Sequence, residues 1–145
     1  MPMNYVVIMK KRWELIPKIL SGKKTIESRW YKNKVAPWNR ISFGDTLYFK
    51  DSGDLVKVKA VVDGVEQIEI SDDEYALKII KERSLADLGT IDIPEDVLHY
   101  ISGKMYAIFV SFRDVEVIQS FDIDKKGFGM QSAWLVCEDV DLLKK

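Results

Sequence analysis

The sequence predicts an α+β domain in which a mainly antiparallel β-sheet closes into a small barrel with helices on its rim. Two observations predict this class. Most apolar runs are short and are joined by turn residues, which favours antiparallel neighbours over parallel strands with crossover helices. The helical patterns are few and stand between groups of strands. The length of 145 residues fits a single domain covering residues 1–145.

Strands are predicted where β-branched and aromatic residues cluster or alternate with polar ones. Turn residues separate the runs, above all Gly44 with Asp45 and the segment 51–54, and Gly64 marks a bulge. The predicted strands are 5–9, 25–31, 46–50, 55–62, 65–70, 105–112, 115–121 and 133–137.

Three helices are predicted between these strands. Residues 13–20 carry apolar side chains at helical spacing. A second helix begins at the capping-box pattern of Ser71 and Glu74 and runs to about Arg83. A third, short helix opens at Pro94, because the fixed backbone of proline suits the first turn of a helix.

The charges divide unevenly along the chain, although the net charge is only -1. Residues 1–60 contain 13 Lys or Arg against 5 Asp or Glu, whereas residues 61–145 contain 9 against 18. A basic half suggests a polyanionic partner. The alternative is that the two halves pack together and their charges intermix on the surface.

The remaining composition narrows the class of protein. No apolar run reaches the roughly 18 residues that span a bilayer, and the N-terminus lacks the pattern of a signal peptide. Cys137 is the single cysteine and His99 the single histidine, so we expect no disulfide, no metal site and no cofactor. These observations predict a cytoplasmic protein without a membrane partner.

The segment from Gly22 to Arg29 is the most informative part of the sequence. Gly22 allows a sharp turn after the first helix, and Lys24 follows in the irregular start of the next strand. The alternation of a strand places Glu27 and Arg29 on one face and Trp30 on the other, towards the core. We therefore expect Lys24 to bend into the same cleft as Glu27 and Arg29.

This arrangement has two interpretations. Arg29 offers a planar fork for a phosphate or carboxylate, and Glu27 can accept hydrogen bonds from base or amide N–H groups. A ligand-binding cleft would use both properties. Alternatively, Glu27 and Arg29 form an ordinary ion pair on a solvated strand face.

The pattern G-x-K-x-x-E-x-R, formed here by Gly22, Lys24, Glu27 and Arg29, resembles the signature of ASCH domains. The order of elements around it is similar too, and so is a late strand that begins with Ala133 and follows a glycine-containing loop. The resemblance covers nearly the whole chain. It implies a PUA-like β-barrel, a cleft between barrel and helices, and binding of single-stranded RNA or a nucleoside-like small molecule.

The resemblance also implies alternatives to binding. Some ASCH proteins hydrolyse the amide of N4-acetylcytidine, with a Lys at the position of Lys24 and a Thr at the position of Glu27. In a hydrolase built on these residues, Lys24 would be the base or the activator of water, Glu27 would be its acid–base partner, and Arg29 would lower the Lys24 pKa by repulsion. Other ASCH proteins resemble ribonucleases. Because Glu27 stands where the deacetylases have Thr, we expect binding rather than catalysis.

Further candidates lie outside the motif. Trp38 either lines the cleft, where a base could stack on it, or packs in the core. Lys10 either extends a track for phosphates or belongs to a solvated turn. Gln131, in the loop 125–131, could read a base edge, although a plain connecting loop explains the same glycines.

Overall fold

The computed structural model describes residues 2–125, 127–128 and 133–145. Within these ranges the chain forms six β-strands and three α-helices. The strands are β1 (Asn4–Met9), β2 (Ile26–Tyr31), β3 (Thr46–Asp51), β4 (Val56–Glu69), β5 (Tyr106–Phe121) and β6 (Trp134–Cys137). The helices are α1 (Leu15–Leu20), α2 (Asp73–Leu88) and α3 (Glu95–Ile101), and short 3₁₀ turns cover Lys11–Trp13 and Val140–Leu143.

The strands form one mixed sheet in the order β2-β5-β4-β3-β1-β6, curved into a half-barrel. Neighbouring strands are antiparallel except β1 and β3, which are parallel. The prediction of an α+β fold with a mainly antiparallel, barrel-like sheet is confirmed. Among the described strands, β2 and β6 form the two ends of the ladder. The side chain of Arg29 reaches from β2 to β1, where its Nη2 donates to the Ile8 carbonyl oxygen at 2.9 Å.

Two long strands replace two pairs of shorter strands that the sequence predicts. β4 continues through Gly64, where the pairing register with β5 shifts. A Cβ at Gly64 would stand only 3.0 Å from Ser111 Oγ, so a larger residue would force that side chain to move. β5 continues through Asp114, whose φ is 56°. The predicted bulge at Gly64 is confirmed, whereas the predicted break between 105–112 and 115–121 is wrong, because a bulge bends a strand without ending its pairing.

The helices also begin one or two residues later than predicted. Glu14 has a left-handed φ of 53°, which divides the predicted first helix into a 3₁₀ turn and α1. The N-cap of α2 is Asp72 and not Ser71: the Asp72 carboxylate accepts the Tyr75 N–H at 2.8 Å. Pro94 directly precedes α3 instead of opening its first turn. An aspartate satisfies the free N–H groups at a helix start as well as a serine does. The capping-box pattern alone therefore does not decide between Ser71 and Asp72 as the N-cap of α2.

Helix α2 is longer than the sequence predicts, and its extra turn reaches the site described below. The predicted end lies near Arg83, whereas α2 ends at Leu88 and Gly89 follows with a φ of 72°. Ser84 and Asp87 interrupt the apolar pattern, which explains the early end of the prediction. Both are buried in the folded protein.

Apolar side chains cover both faces of the sheet. One cluster joins β1, β3, β4 and β5, with Tyr5, Phe49 and Phe112 among its members. A second cluster packs α2 and α3 against β2 and β5 and includes the fully buried Trp30, as predicted from the strand parity. No helix in the described ranges is long and apolar enough to cross a membrane.

The basic and acidic halves of the sequence meet in the folded protein. Three surface ion pairs join them: Arg12 with Asp96 at 3.3 Å, Lys34 with Glu69 at 3.7 Å and Lys59 with Glu116 at 3.7 Å. The charges of the two halves therefore intermix at these positions. The uneven distribution of charge along the sequence therefore does not by itself produce a surface of one sign.

Candidate functional site

A cavity of about 820 Å³ opens beside β2. Its walls come from the end of β1, from β2, from the last turn of α2, from α3 and from the start of β6. The motif residues Lys24, Glu27 and Arg29 all lie on these walls. The sequence therefore predicted the convergence of these three side chains correctly.

Local backbone geometry brings Lys24 to this wall. Gly22 follows α1 with a φ of +80°, a conformation that glycine adopts without strain. The chain then reaches Lys24 before the regular pairing of β2 begins at Ile26. Its amide N–H donates to the Lys18 carbonyl oxygen at 3.0 Å, which fixes the start of the strand against the end of α1.

Lys24 is buried, with only 1% of its side chain exposed. Its Nζ lies 2.9 Å from Glu27 Oε1 and 3.0 Å from Asp87 Oδ1. It also donates to the backbone carbonyl of Ile26 at 2.6 Å and to that of Asp87. Four acceptors thus surround an ammonium that has three hydrogens. Lys24 joins the last turn of α2 to the start of β2.

Glu27 and Arg29 form the second half of this charged cluster. Glu27 Oε2 accepts from Arg29 Nε at 3.0 Å and lies 2.8 Å from Nη2. Only 5% of the Glu27 side chain and 12% of the Arg29 side chain are exposed. Glu27 and Arg29 therefore do form the ion pair of the alternative interpretation, but this pair is buried and does not lie on a solvated strand face. Two cations and two carboxyl groups lie together under the cavity surface.

The pKa values of the cluster follow from these contacts. Burial opposes the charge of Lys24, but Glu27 and Asp87 outweigh it and raise the Lys24 pKa above its usual value. Burial likewise opposes the charge of Glu27, yet Lys24 and Arg29 hold the pKa of that carboxyl below its usual range. The expectation that Arg29 lowers the Lys24 pKa was wrong, because the Glu27 carboxylate stands between the two cations.

Asp87 is a member of the cluster that the sequence prediction missed. Its Oδ2 accepts from Ser28 Oγ at 2.5 Å, and Ser28 Oγ in turn accepts from Trp30 Nε1 at 3.2 Å. Burial raises the Asp87 pKa, the Glu27 carboxylate adds to this rise, and Lys24 offsets it only in part. A signal did exist in the sequence: Asp87 stands seven residues after the buried Ile80, so it shares the core-facing side of α2.

No protein-family model matches the sequence, and no curated protein matches it. Solved structures do match. The ASCH protein from Zymomonas mobilis superposes with a TM-score of 0.64 at 15% identity, over 98% of this chain and 96% of that one. A mutant of the same protein gives a TM-score of 0.64 at 16% identity, over 98% and 99%.

The chain has the ASCH fold. A hypothetical protein named PH0355 is also similar, with a TM-score of 0.51 and 24% identity over 80% of this chain and 100% of that one. Identities this low establish the fold and nothing finer. The ASCH fold is the one that the resemblance of the Gly22, Lys24, Glu27 and Arg29 motif predicted.

In this ASCH fold, aromatic side chains form much of the cavity wall. Trp13 and Tyr100 meet edge to face with ring centroids 6.1 Å apart, on the side of α3. Trp134 stands on the side of β6, and Arg29 Cζ lies 5.3 Å from the centroid of its ring. Tyr31 adds a further ring, and burial raises its pKa to about 12, so its hydroxyl is neutral at physiological pH.

Of the basic residues that follow β1, Lys10 is on the cavity wall. Its Nζ lies 4.8 Å from the centroid of the Trp13 ring and 5.7 Å from that of Tyr100, and no described carboxylate forms an ion pair with it. Lys11 instead pairs with Asp54 at 3.1 Å. Lys10 therefore keeps an unneutralised charge at the mouth of the cavity.

Two predicted site residues lie elsewhere. Trp38 packs edge to face against Tyr106 with ring centroids 5.2 Å apart and is absent from the cavity wall, which agrees with the alternative of core packing. Gly22 shapes the backbone before Lys24 without lining the cavity. Gln131 lies outside the described residues.

Proposed function

We propose that this protein binds single-stranded RNA or a nucleoside-like small molecule in the cavity beside β2. One observation carries the proposal: a cavity of about 820 Å³ combines aromatic walls with Lys10 at its mouth. Unpaired bases stack on aromatic rings, each stack contributing about 1–3 kcal/mol, and lysines attract the phosphates that flank the base.

The size of the cavity suits a small part of a nucleic acid. Pockets that hold small organic ligands span roughly 300–1,000 Å³. A cavity of about 820 Å³ lies within this range, so it has room for one nucleoside and not for a duplex. A flipped or unpaired nucleotide is therefore the element of RNA that we expect here.

The state of Lys24 is the reason for placing binding before hydrolysis. A general base needs a lone pair on its nitrogen near neutral pH. The Lys24 pKa is raised, and its hydrogens are taken up by Glu27, Asp87 and backbone carbonyls. Hydrolysis of an acylated cytidine, or cleavage of RNA, would need another residue to activate the nucleophile.

Salt-dependent titration tests the proposal. Fluorescently labelled single-stranded RNAs of about eight nucleotides are titrated with the protein at several KCl concentrations. The logarithm of the affinity should fall with the logarithm of the salt concentration by about 0.7 for each phosphate contacted. Binding that is undetectable, or that is indifferent to salt, would count against RNA as the ligand.

A pair of lysine variants locates the binding surface. In Lys10→Ala the salt slope should decrease by about 0.7, because one phosphate contact is lost. Lys78→Ala is the matched control, since Lys78 is an exposed lysine of α2 away from this cavity. Equal losses in the two variants would show that the RNA is held by general surface charge and not by the cavity mouth.

A further inference from the structure

Two hydrogen-bond donors on the cavity wall have no acceptor among the described residues. Trp134 is 6% exposed, and its indole Nε1 is buried without an acceptor among the described residues. Arg29 donates from Nε and Nη2 to Glu27 and to the Ile8 carbonyl, whereas Nη1 donates to none of the described residues. Both side chains line the cavity.

An orphan donor at a buried position needs an explanation. More than nine in ten buried polar groups in folded proteins have a partner, and leaving one unpaired is destabilising. A phenylalanine at position 134 would offer a ring to Tyr5, whose centroid lies 6.0 Å away, and to Arg29 without an unpaired N–H. The packing of this wall therefore does not explain why position 134 is a tryptophan and not a phenylalanine.

The two side chains are close together. Arg29 Cζ lies 5.3 Å from the centroid of the Trp134 ring, so the guanidinium covers the indole. Side chains this close can offer their N–H groups to the same carbonyl group of a ligand. Because Nε1 is buried in the free protein, an acceptor reaches it only if the neighbouring side chains shift.

The charges around the pair favour an uncharged acceptor. The charge of Arg29 is matched by Glu27 at 2.8 Å, and Glu27 is also held by Lys24. A phosphate or carboxylate brought here would lie close to the Glu27 carboxylate and would lose most of its hydration. A carbonyl oxygen accepts from N–H groups and carries no net charge, so it avoids both costs.

We infer that the inner end of the cavity recognises a carbonyl oxygen of the ligand through Arg29 Nη1 and Trp134 Nε1. This inference rests on the proposed binding of RNA or a nucleoside in the same cavity, and it orients the ligand. The carbonyl edge of the base points inward, to Arg29 and Trp134. The sugar and phosphate point outward, to Lys10.

The test follows the indole N–H resonances of ¹⁵N-labelled protein by nuclear magnetic resonance during titration with uridine. The Trp134 resonance should move downfield with the largest shift. The Trp30 resonance is an internal control, because its Nε1 already donates to Ser28. In Trp134→Phe, uridine affinity should fall about tenfold, the loss of one hydrogen bond, while the free variant stays as stable as the wild type.

The control variant is Trp38→Phe, which changes a tryptophan away from the cavity and should leave uridine affinity unchanged. If uridine binds but the Trp134 resonance does not move and Trp134→Phe binds equally well, the carbonyl site is refuted while the proposed function stands.

A second probe covers the case in which neither uridine nor RNA binds. N-methylacetamide, a small neutral carbonyl compound, is then titrated at high concentration. A downfield shift of the Trp134 resonance that is lost in Arg29→Lys would support the carbonyl site even though the proposed function has failed. No shift with either probe would overturn both.

Discussion

The buried charged groups, which form the floor of the cavity, differ from Lys10 at its mouth in both burial and partners. At the floor, Lys24, Glu27, Asp87 and Arg29 are buried and bonded to one another. At the mouth, Lys10 is exposed and lies against aromatic rings. The comparison teaches that the charge of the motif lysine, Lys24, is matched by carboxylates inside the protein, whereas Lys10 has no described carboxylate partner.

The largest expected effect is on stability, from Lys24→Met. The substitution leaves Glu27 and Asp87 buried without their shared cation, and breaking a buried ion pair costs about 3–5 kcal/mol. Urea unfolding followed by tryptophan fluorescence measures the change. The matched control is Lys23→Met, because Lys23 is exposed and adjacent, and its effect should stay within about 0.5 kcal/mol. If Lys24→Met lowers the free energy of unfolding by no more than Lys23→Met does, the charged cluster does not stabilise the fold.

A smaller effect, with a defined pH dependence, is expected for Glu27→Gln. Arg29 loses its charged partner while Lys24 keeps Asp87, so the free energy of unfolding should fall by about 2 kcal/mol at neutral pH. The folded-state pKa of Glu27 lies below its ordinary value of 4.5. The stabilisation is therefore complete above about pH 4.5 and is lost as the pH falls through the lower folded-state value.

Unfolding curves of wild type and Glu27→Gln at a series of pH values check this prediction. The two proteins should converge in stability on acidification. The contribution of Asp87 to stability depends on pH in the opposite direction, because its pKa is raised in the folded protein. That contribution is most favourable below the ordinary pKa of 3.8 and declines as the pH rises through the folded-state pKa. A gap between wild type and Glu27→Gln that widens in acid would contradict the assignment of Glu27 as the stabilising carboxylate.

The smallest effect is expected at the surface beside the mouth, from Lys11→Ala. Lys11 pairs with Asp54 at 3.1 Å, but 68% of its side chain is exposed, and exposed pairs contribute about 0–1 kcal/mol. Thermal unfolding should show little change, and RNA affinity should change less than in Lys10→Ala. If Lys11→Ala weakens RNA binding more than Lys10→Ala does, the phosphate contact lies at Lys11 and away from the aromatic rings.

The sequence predicts the site better than it predicts the helices around it. Strand alternation placed Glu27 and Arg29 together because a strand of regular period fixes which side each residue faces. Asp87 was missed because a polar residue on a buried helix face breaks the apolar pattern from which the helix end is inferred. The cavity walls at Trp134 and Tyr100 come from distant segments, and no local pattern indicates which aromatic residues tertiary packing will bring to one place.

The N-terminal strand β1 has its two neighbours in very different parts of the chain. It pairs with β3 in parallel and with β6 in antiparallel, so that Asn4 faces both Thr46 and Cys137. Contacts between residues this far apart require closing long loops before they form, which slows folding. During synthesis, β1 leaves the ribosome before the other described strands and acquires its last partner only when residues 134–137 have followed. The cavity also forms late, because its walls at Ile8 and Trp134 meet only when β6 pairs with β1.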